Sequence, residues 1–182
     1  MGLRPPAARG GPARVDGPVA VETILLVRHG SAGMRSEWQG DDAERPLDAN
    51  GIAQAEALIW LLTRWDVREI ISAPLVRCTQ TVEPLSVSVG LSVQTVPLLS
   101  EWEYPEHRGE TVKWLRSIGT AGTASVVCSQ GDVIPDLLTR LGRDDGYDLP
   151  QPRPCKKGSL WSLTFAEDRL YAAEYFPPLP QP

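Results

Sequence analysis

The sequence predicts an α/β three-layer sandwich, with a mostly parallel central sheet and helices on both faces. Three observations carry that expectation. Short apolar runs alternate with segments of helical periodicity, the last two runs read as a hairpin, and polar residues gather where the runs end. Thr23 to Val27 is a short apolar run, the pattern of a strand buried on both faces. Asp48 can cap a helix reaching about Trp65, with Ile52, Ala55, Ile59 and Leu62 at helical spacing. Glu69 to Ser72 is a second strand. The next helix begins near Pro74, a residue tolerated in a first turn, and ends before Gly90. Its stripe is Leu75, Cys78, Val82, Leu85 and Val89, and Pro84 predicts a kink.

Leu91 to Val96 alternates apolar and polar residues as a third strand. Pro97 to Gly109 reads as a loop carrying Glu101, Trp102, Glu103 and Tyr104, followed by a helix from Thr111 to Ile118. Ser125 to Cys128 is a fourth buried strand and Val133 to Leu141 a helix after it. Ser159 to Phe165 and Arg169 to Tyr175 form the closing hairpin, turned at Ala166 to Asp168. Trp60, Trp65, Trp114 and Trp161 are expected in or against the core.

With 182 residues, 42% hydrophobic and 23% charged, the chain has material for one globular domain. That domain is expected over residues 21–176, between a disordered N-terminal tail (1–20) and a Pro-rich C-terminal tail (177–182). The net charge of -5 argues against nucleic acid or a membrane surface as a partner. No apolar run reaches membrane-spanning length and the N-terminus lacks a secretory apolar region, so a soluble, cytoplasmic chain is expected. Cys78, Cys128 and Cys155 show no C-x-x-C spacing and read as reduced thiols.

Ligands of such sheets bind beyond the carboxyl ends of the strands. Arg28-His29-Gly30 follows the first strand, and Arg77 lies early in the helix after the second. Glu101 follows the third strand, and Ser129-Gln130-Gly131-Asp132 follows the fourth. This set suits phosphoryl transfer. A neutral imidazole can attack phosphorus, two arginines can hold non-bridging oxygens, and a carboxylic acid can protonate the leaving oxygen. Backbone N–H groups at the start of the Pro74 helix add positive potential. The set needs no cofactor and no metal, and no metal-ligand spacing such as H-x-x-H is present.

Leu26-Val27-Arg28-His29-Gly30 together with Ser72-Ala73-Pro74-Leu75-Val76-Arg77-Cys78-Thr79-Gln80-Thr81 resembles the histidine phosphatase superfamily, of phosphoglycerate-mutase-like fold. The resemblance runs from about Glu22 to Tyr175. It implies His29 as nucleophile, Arg28 and Arg77 as phosphate clamps, and Glu101 as acid/base, with Glu103 a competitor. A finer series, Gly40 to Asp48, Arg77 to Leu85, Ser129 to Leu137 and Lys157 to Trp161, is similar to the phosphatase half of actinobacterial two-domain Nudix hydrolases that clean oxidised guanine nucleotides. No counterpart of their Nudix half is expected in the twenty residues ahead of the first strand. SixA-like phosphohistidine phosphatases resemble the chain in size and in Arg45-Pro46-Leu47. The resemblance thus implies a small phosphorylated substrate, a nucleoside diphosphate for instance, or a phosphohistidine protein.

One position departs from the pattern. The superfamily has a second histidine after the fourth strand, where this chain has Gln130. Glutamine keeps an N–H donor but loses a cation. The Nudix-linked halves share the glutamine, yet a weakly active or silent phosphate binder is the alternative reading. Around the centre, Gly30, Ser31 and Lys157 are candidate substrate contacts. Ser31 serves equally well as a chain turn, and Lys156 and Lys157 as solvated charges. Asp41, Asp42 and Glu44 read as a solvated acidic loop. Trp38 and Trp102 flank the rim, where loop packing is the expectation and base stacking the alternative.

Overall fold

The computed structural model describes residues 21–179. The expected N-terminal tail and the last three residues of the C-terminal tail lie outside the described residues. The strands are β1 (Val21–Arg28), β2 (Val67–Ser72), β3 (Val93–Thr95), β4 (Ala124–Ser129), β5 (Leu160–Ala166) and β6 (Arg169–Phe176). The helices are α1 (Ala49–Leu62), α2 (Val76–Val89), α3 (Tyr104–Ser117) and α4 (Ile134–Asp145).

One sheet holds the strands in the order β3-β2-β4-β1-β5-β6. The first four in that order are parallel to one another, and β5 and β6 run antiparallel as the closing hairpin. From β1 the chain moves through α1 and α2 toward the β3 edge, then doubles back through α3 to β4 and through α4 to β5. Right-handed crossovers convert that reversal into α1 and α2 on one face and α3 and α4 on the other. Accordingly, α1 packs on α2 and α3 on α4. The reversal opens a crevice at the carboxyl ends of β1 and β4, the place where open α/β sheets take ligands.

The core explains why β1 is continuous in apolar residues. It lies between β4 and β5, covered on both faces, and Ile24 to Val27 are at most 1% exposed. All of β4 is buried as well. Truncating one such side chain, Leu26→Ala for instance, removes about 2–5 kcal/mol through lost transfer energy and the cavity left behind. Trp161 is buried with its indole N–H donating to the Pro154 carbonyl, and Trp65 and Trp114 pack partly against the core, as expected.

Elsewhere the structure corrects the sequence reading. The buried face of α1 is Gly51, Ala55, Leu58, Leu61 and Leu62, so Ile52 is half exposed and Trp60 lies 83% exposed. The helix is apolar on most sides, so periodicity could not fix its rotation. Backbone packing does: a Cβ on Gly51 would stand 1.9 Å from the Ser31 carbonyl oxygen. Helix α1 also stops at Leu62, with Asp48 as its cap accepting from the Gly51 N–H. Helix α2 runs unbroken through Pro84, and its stripe of Cys78, Val82 and Leu85 is buried. Strand β3 is only Val93–Thr95, and the expected long loop is instead a short turn of 3-10 helix, Pro97–Leu99, and then α3. Pro105, in the first turn of α3, and Gly109 look like loop residues but are accommodated, with an irregular turn at His107.

Candidate active site

The carboxyl ends of β1, β2 and β4 and the turn after β3 surround a cleft of about 370 Å³. Arg28, His29, Arg77, Glu101, Gln130 and Lys157 all line it. The structure therefore brings these candidates from separate strand ends to one cleft. The structure adds Arg35, Arg45 and Asp132 to the same lining.

His29 is 6% exposed at the tip of β1. Its Nδ1 lies 2.7 Å from the Gly30 carbonyl oxygen, which can only accept, so Nδ1 carries the proton. Nε2 is left with its lone pair. Burial, reinforced by the charges of Arg77, Arg28 and Lys157 and opposed by the Gly30 hydrogen bond, lowers the imidazole pKa to about 3. The ring is neutral at pH 7 and its basic nitrogen is available as a nucleophile. The backbone that carries it is held from three sides. The His29 N–H donates to Ser129, the Gly30 N–H to Thr81 Oγ1, and the Gly158 N–H to both the Arg28 and His29 carbonyls.

Arg28 donates through NH1 to the Cys155 carbonyl, and its guanidinium lies against the Gly131 backbone. Arg77 is 2% exposed. It donates to Asp42 twice, at 2.6 Å to the carbonyl and 3.0 Å to the carboxylate. Arg45 Nε donates to the same carboxylate at 2.8 Å, and Arg35 stands 3.6 Å from it. Burial alone would raise the Asp42 carboxyl, but the Arg45 hydrogen bond and the charges of Arg77, Arg45 and Arg35 hold it below its ordinary range. Asp42 is thus the anchor of a buried arginine set, not part of a solvated acidic loop; its side chain is only 12% exposed. Its neighbour Asp41 does stay at the surface. The one local sign was an arginine three residues after Asp42; the Arg77 partner lies 35 residues away.

The two glutamates separate cleanly. Glu101 lines the cleft, with Oε1 buried, 3.5 Å from Arg77 and 3.7 Å from Arg35, and without a hydrogen-bond partner. Glu103 is half exposed and faces His107. Gln130 explains how Glu101 is placed: its Oε1 accepts the Glu101 N–H at 2.8 Å. That bond fixes the amide orientation and leaves the NH₂ end for the cleft the residue lines. Ser129 Oγ donates to the Leu99 carbonyl, tying the same turn to β4. Arg28 Nε and Arg77 Nε are likewise buried without partners.

Ser31 lies beside the cleft, its hydroxyl donating to Asp48 at 2.7 Å and its N–H to Gln54. Gly30 supplies backbone contacts, where a Cβ would crowd the Gly51 carbonyl at 2.9 Å. Lys157 is half-buried at the rim and Lys156 exposed. Cys78, Cys128 and Cys155 are free, and burial beside Cys78 pushes the Cys128 thiol well up. Among the described residues no group of three or more His, Cys, Asp or Glu side chains could hold a metal, and no helix is long and apolar enough to cross a membrane.

A family model described as the histidine phosphatase superfamily (branch 1) matches residues 24–121. The chain belongs to the histidine phosphatase superfamily. That match takes in His29, Arg77 and Glu101 but ends before Gln130. Among curated relatives, a Mycolicibacterium smegmatis protein named 8-oxo-(d)GTP phosphatase is 39% identical over 165 residues, 90% of this chain and 51% of that protein. The chain therefore spans about half the length of that relative. The solved protein histidine phosphatase SixA, complexed with tungstate, superposes with a TM-score of 0.66 at 20% identity, over 83% of this chain and 95% of its own. A phosphoglycerate mutase from Plasmodium falciparum gives 0.58 at 16% identity, over 87% and 90%. At such identities the likeness is one of fold, and it shows this superfamily member to be phosphoglycerate-mutase-like.

Proposed function

We propose that the chain hydrolyses a terminal phosphate, with a nucleoside diphosphate as the substrate class, through a phosphohistidine on His29. The observation that supports this most is a neutral, buried imidazole with its proton on Nδ1, facing a cleft lined by Arg28, Arg35, Arg45, Arg77 and Lys157. The relative named 8-oxo-(d)GTP phosphatase supports a nucleotide as the substrate.

The His29 Nε2 lone pair attacks phosphorus as the bond to the leaving oxygen breaks, and Glu101 as an acid gives that oxygen a proton. Arg28 and Arg77 hold the equatorial oxygens, where their charge acts in a water-poor site. Water then attacks the phosphorus of phospho-His29 while Glu101 takes its proton. The N–P bond breaks, inorganic phosphate leaves, and the imidazole returns neutral. The charge neutralisation comes from the chain's own cations, so the scheme routes no step through a metal. Gln130 contributes an amide N–H donor, worth about 1.5–3 kcal/mol to a charged partner, and keeps Glu101 in place.

The test is hydrolysis of nucleoside diphosphates and aryl phosphates by the wild type and by His29→Ala, with trapping of acid-labile phosphate on the protein during turnover. Loss of both turnover and label in His29→Ala is expected. Turnover that survives the substitution ends the proposal. Cleavage of a phosphohistidine protein in preference to every nucleotide moves the substrate class to the SixA type.

A further inference from the structure

A second, shallower groove of about 220 Å³ adjoins the phosphate cleft, and the two share Gly33 and Arg45 in their linings. Its character is different. Met34, Trp38, Pro46 and Leu47 line it, with Met34 63% and Trp38 38% exposed. We infer that this groove holds the base of the nucleotide: Trp38 stacks on it and Glu37 reads an edge bearing paired N–H donors, as guanine presents. The inference rests on the proposed nucleotide phosphatase reaction.

Continuity with the phosphate cleft is the first support. A ligand with its terminal phosphate at His29 meets Gly33 and Arg45 where the two spaces join, so the cations give way to apolar surface in one direction. Arg35 stands close by, 64% exposed and held only by long pairs at 3.6 and 3.7 Å, free to meet a second phosphate.

The second support is the way Trp38 is held. Its indole N–H donates to the Asp41 carbonyl at 2.8 Å, and Gly40 lies so near the ring that a Cβ there would be 3.2 Å from Nε1. The loop that carries the tryptophan therefore fixes the ring in advance, with its N–H already committed and its apolar ring left for the groove it lines. Stacking is the interaction such a surface makes.

The third support concerns carboxylates. Two of them line the groove, Glu37 and Asp48. Asp48 is spent on the Ser31 hydroxyl and the Gly33 and Gly51 N–H groups. Nothing among the described residues pairs with the Glu37 carboxylate. An acceptor-only group beside a stacking surface complements a base edge with two adjacent donors, which guanine has and adenine lacks.

The experiment measures kcat/KM for GDP, ADP and glycerol 2-phosphate in the full chain and in Trp38→Ala, Trp38→Phe and Glu37→Gln. Trp38→Ala is expected to lower the preference for either nucleotide over glycerol phosphate about tenfold, mainly through KM, with Trp38→Phe within threefold of wild type. Glu37→Gln is expected to lower the GDP-to-ADP ratio about tenfold. If wild type prefers the nucleotides over glycerol phosphate but Trp38→Ala keeps that preference, the groove assignment falls and the reaction stands. If wild type takes neither nucleotide above glycerol phosphate, the substrate class and the groove assignment fall together. Equal losses on all three substrates in both Trp38 variants would mean the loop shapes the phosphate cleft, which overturns the base site.

Discussion

A methyl group added at Gly131 tests how Arg28, the proposed phosphate clamp, is positioned. It would lie 2.7 Å from both Cζ and NH2 of Arg28 and 3.0 Å from Nε. Ordinary contact needs about 3.5 Å, so the guanidinium has to retreat by roughly 0.8 Å. A retreat has to disturb the NH1 donation to the Cys155 carbonyl. A displacement near 1 Å in a group that orients a reacting phosphoryl lowers the rate on the order of 100-fold. The backbone at Gly131 is not in the left-handed region, so alanine adds little strain of its own. Gly131→Ala is therefore expected to lower kcat/KM for p-nitrophenyl phosphate about 100-fold while Tm moves by less than about 4 °C. In an Arg28→Ala background the same substitution should have almost no further effect, because the methyl acts through the guanidinium alone. Retention of a third of the activity in Gly131→Ala, or losses that multiply in the double variant, would refute the reasoning.

Four further outcomes are expected. The His29 ring protons should keep their chemical shifts from pH 5 to 8, since the folded pKa is about 3; a titration centred near 6.5, with His107→Gln used to assign the signals, contradicts the buried neutral ring. Because the unfolded imidazole binds a proton near pH 6.5 and the folded one near 3, stability should fall as pH drops through that window, and less so in His29→Gln. Asp42→Asn should cost about 3 kcal/mol in urea unfolding at pH 7 and lower kcat/KM about tenfold, as Arg77 and Arg45 lose a shared carboxylate; the depressed folded pKa means this contribution is present above pH 3.8 and lost as pH falls through the folded value. Glu167→Gly should raise stability by about 0.5–1 kcal/mol in thermal unfolding, because Glu167 holds φ 51° beside Asp168 at 61° in the β5-β6 turn.

The sheet and the gathering of polar candidates at its strand ends were legible because both are local in the sequence. A strand flanked on both sides has to be apolar throughout, and the residues just beyond it have to face the crevice. What escaped was set by partners distant in the chain. The rotation of α1 depends on Gly51 meeting Ser31, and an all-round apolar helix carries no mark of that contact. Asp42 sits in an acidic run whose composition signals solvent, while the charge that buries it is on α2. Glu101 and Glu103 differ by two positions in one turn, and the Gln130 carboxamide, from another strand, distinguishes them. Conversely, Pro97 to Gly109 reads as a loop, although a helix accepts Pro105 in its first turn.

The clasp that Gly158 makes on the Arg28 and His29 carbonyls has a consequence for how the enzyme can diversify. The His29 imidazole is built into the sheet's interior, pinned by β4 on one side and by the β5 approach on the other. The residues facing the neighbouring groove come largely from one surface excursion, Ala32 to Asp48, tied down at Asp41, Asp42 and Asp48. Transplanting that excursion between relatives, with those three aspartates retained, would exchange the repertoire of accepted molecules while leaving the bond-breaking apparatus untouched.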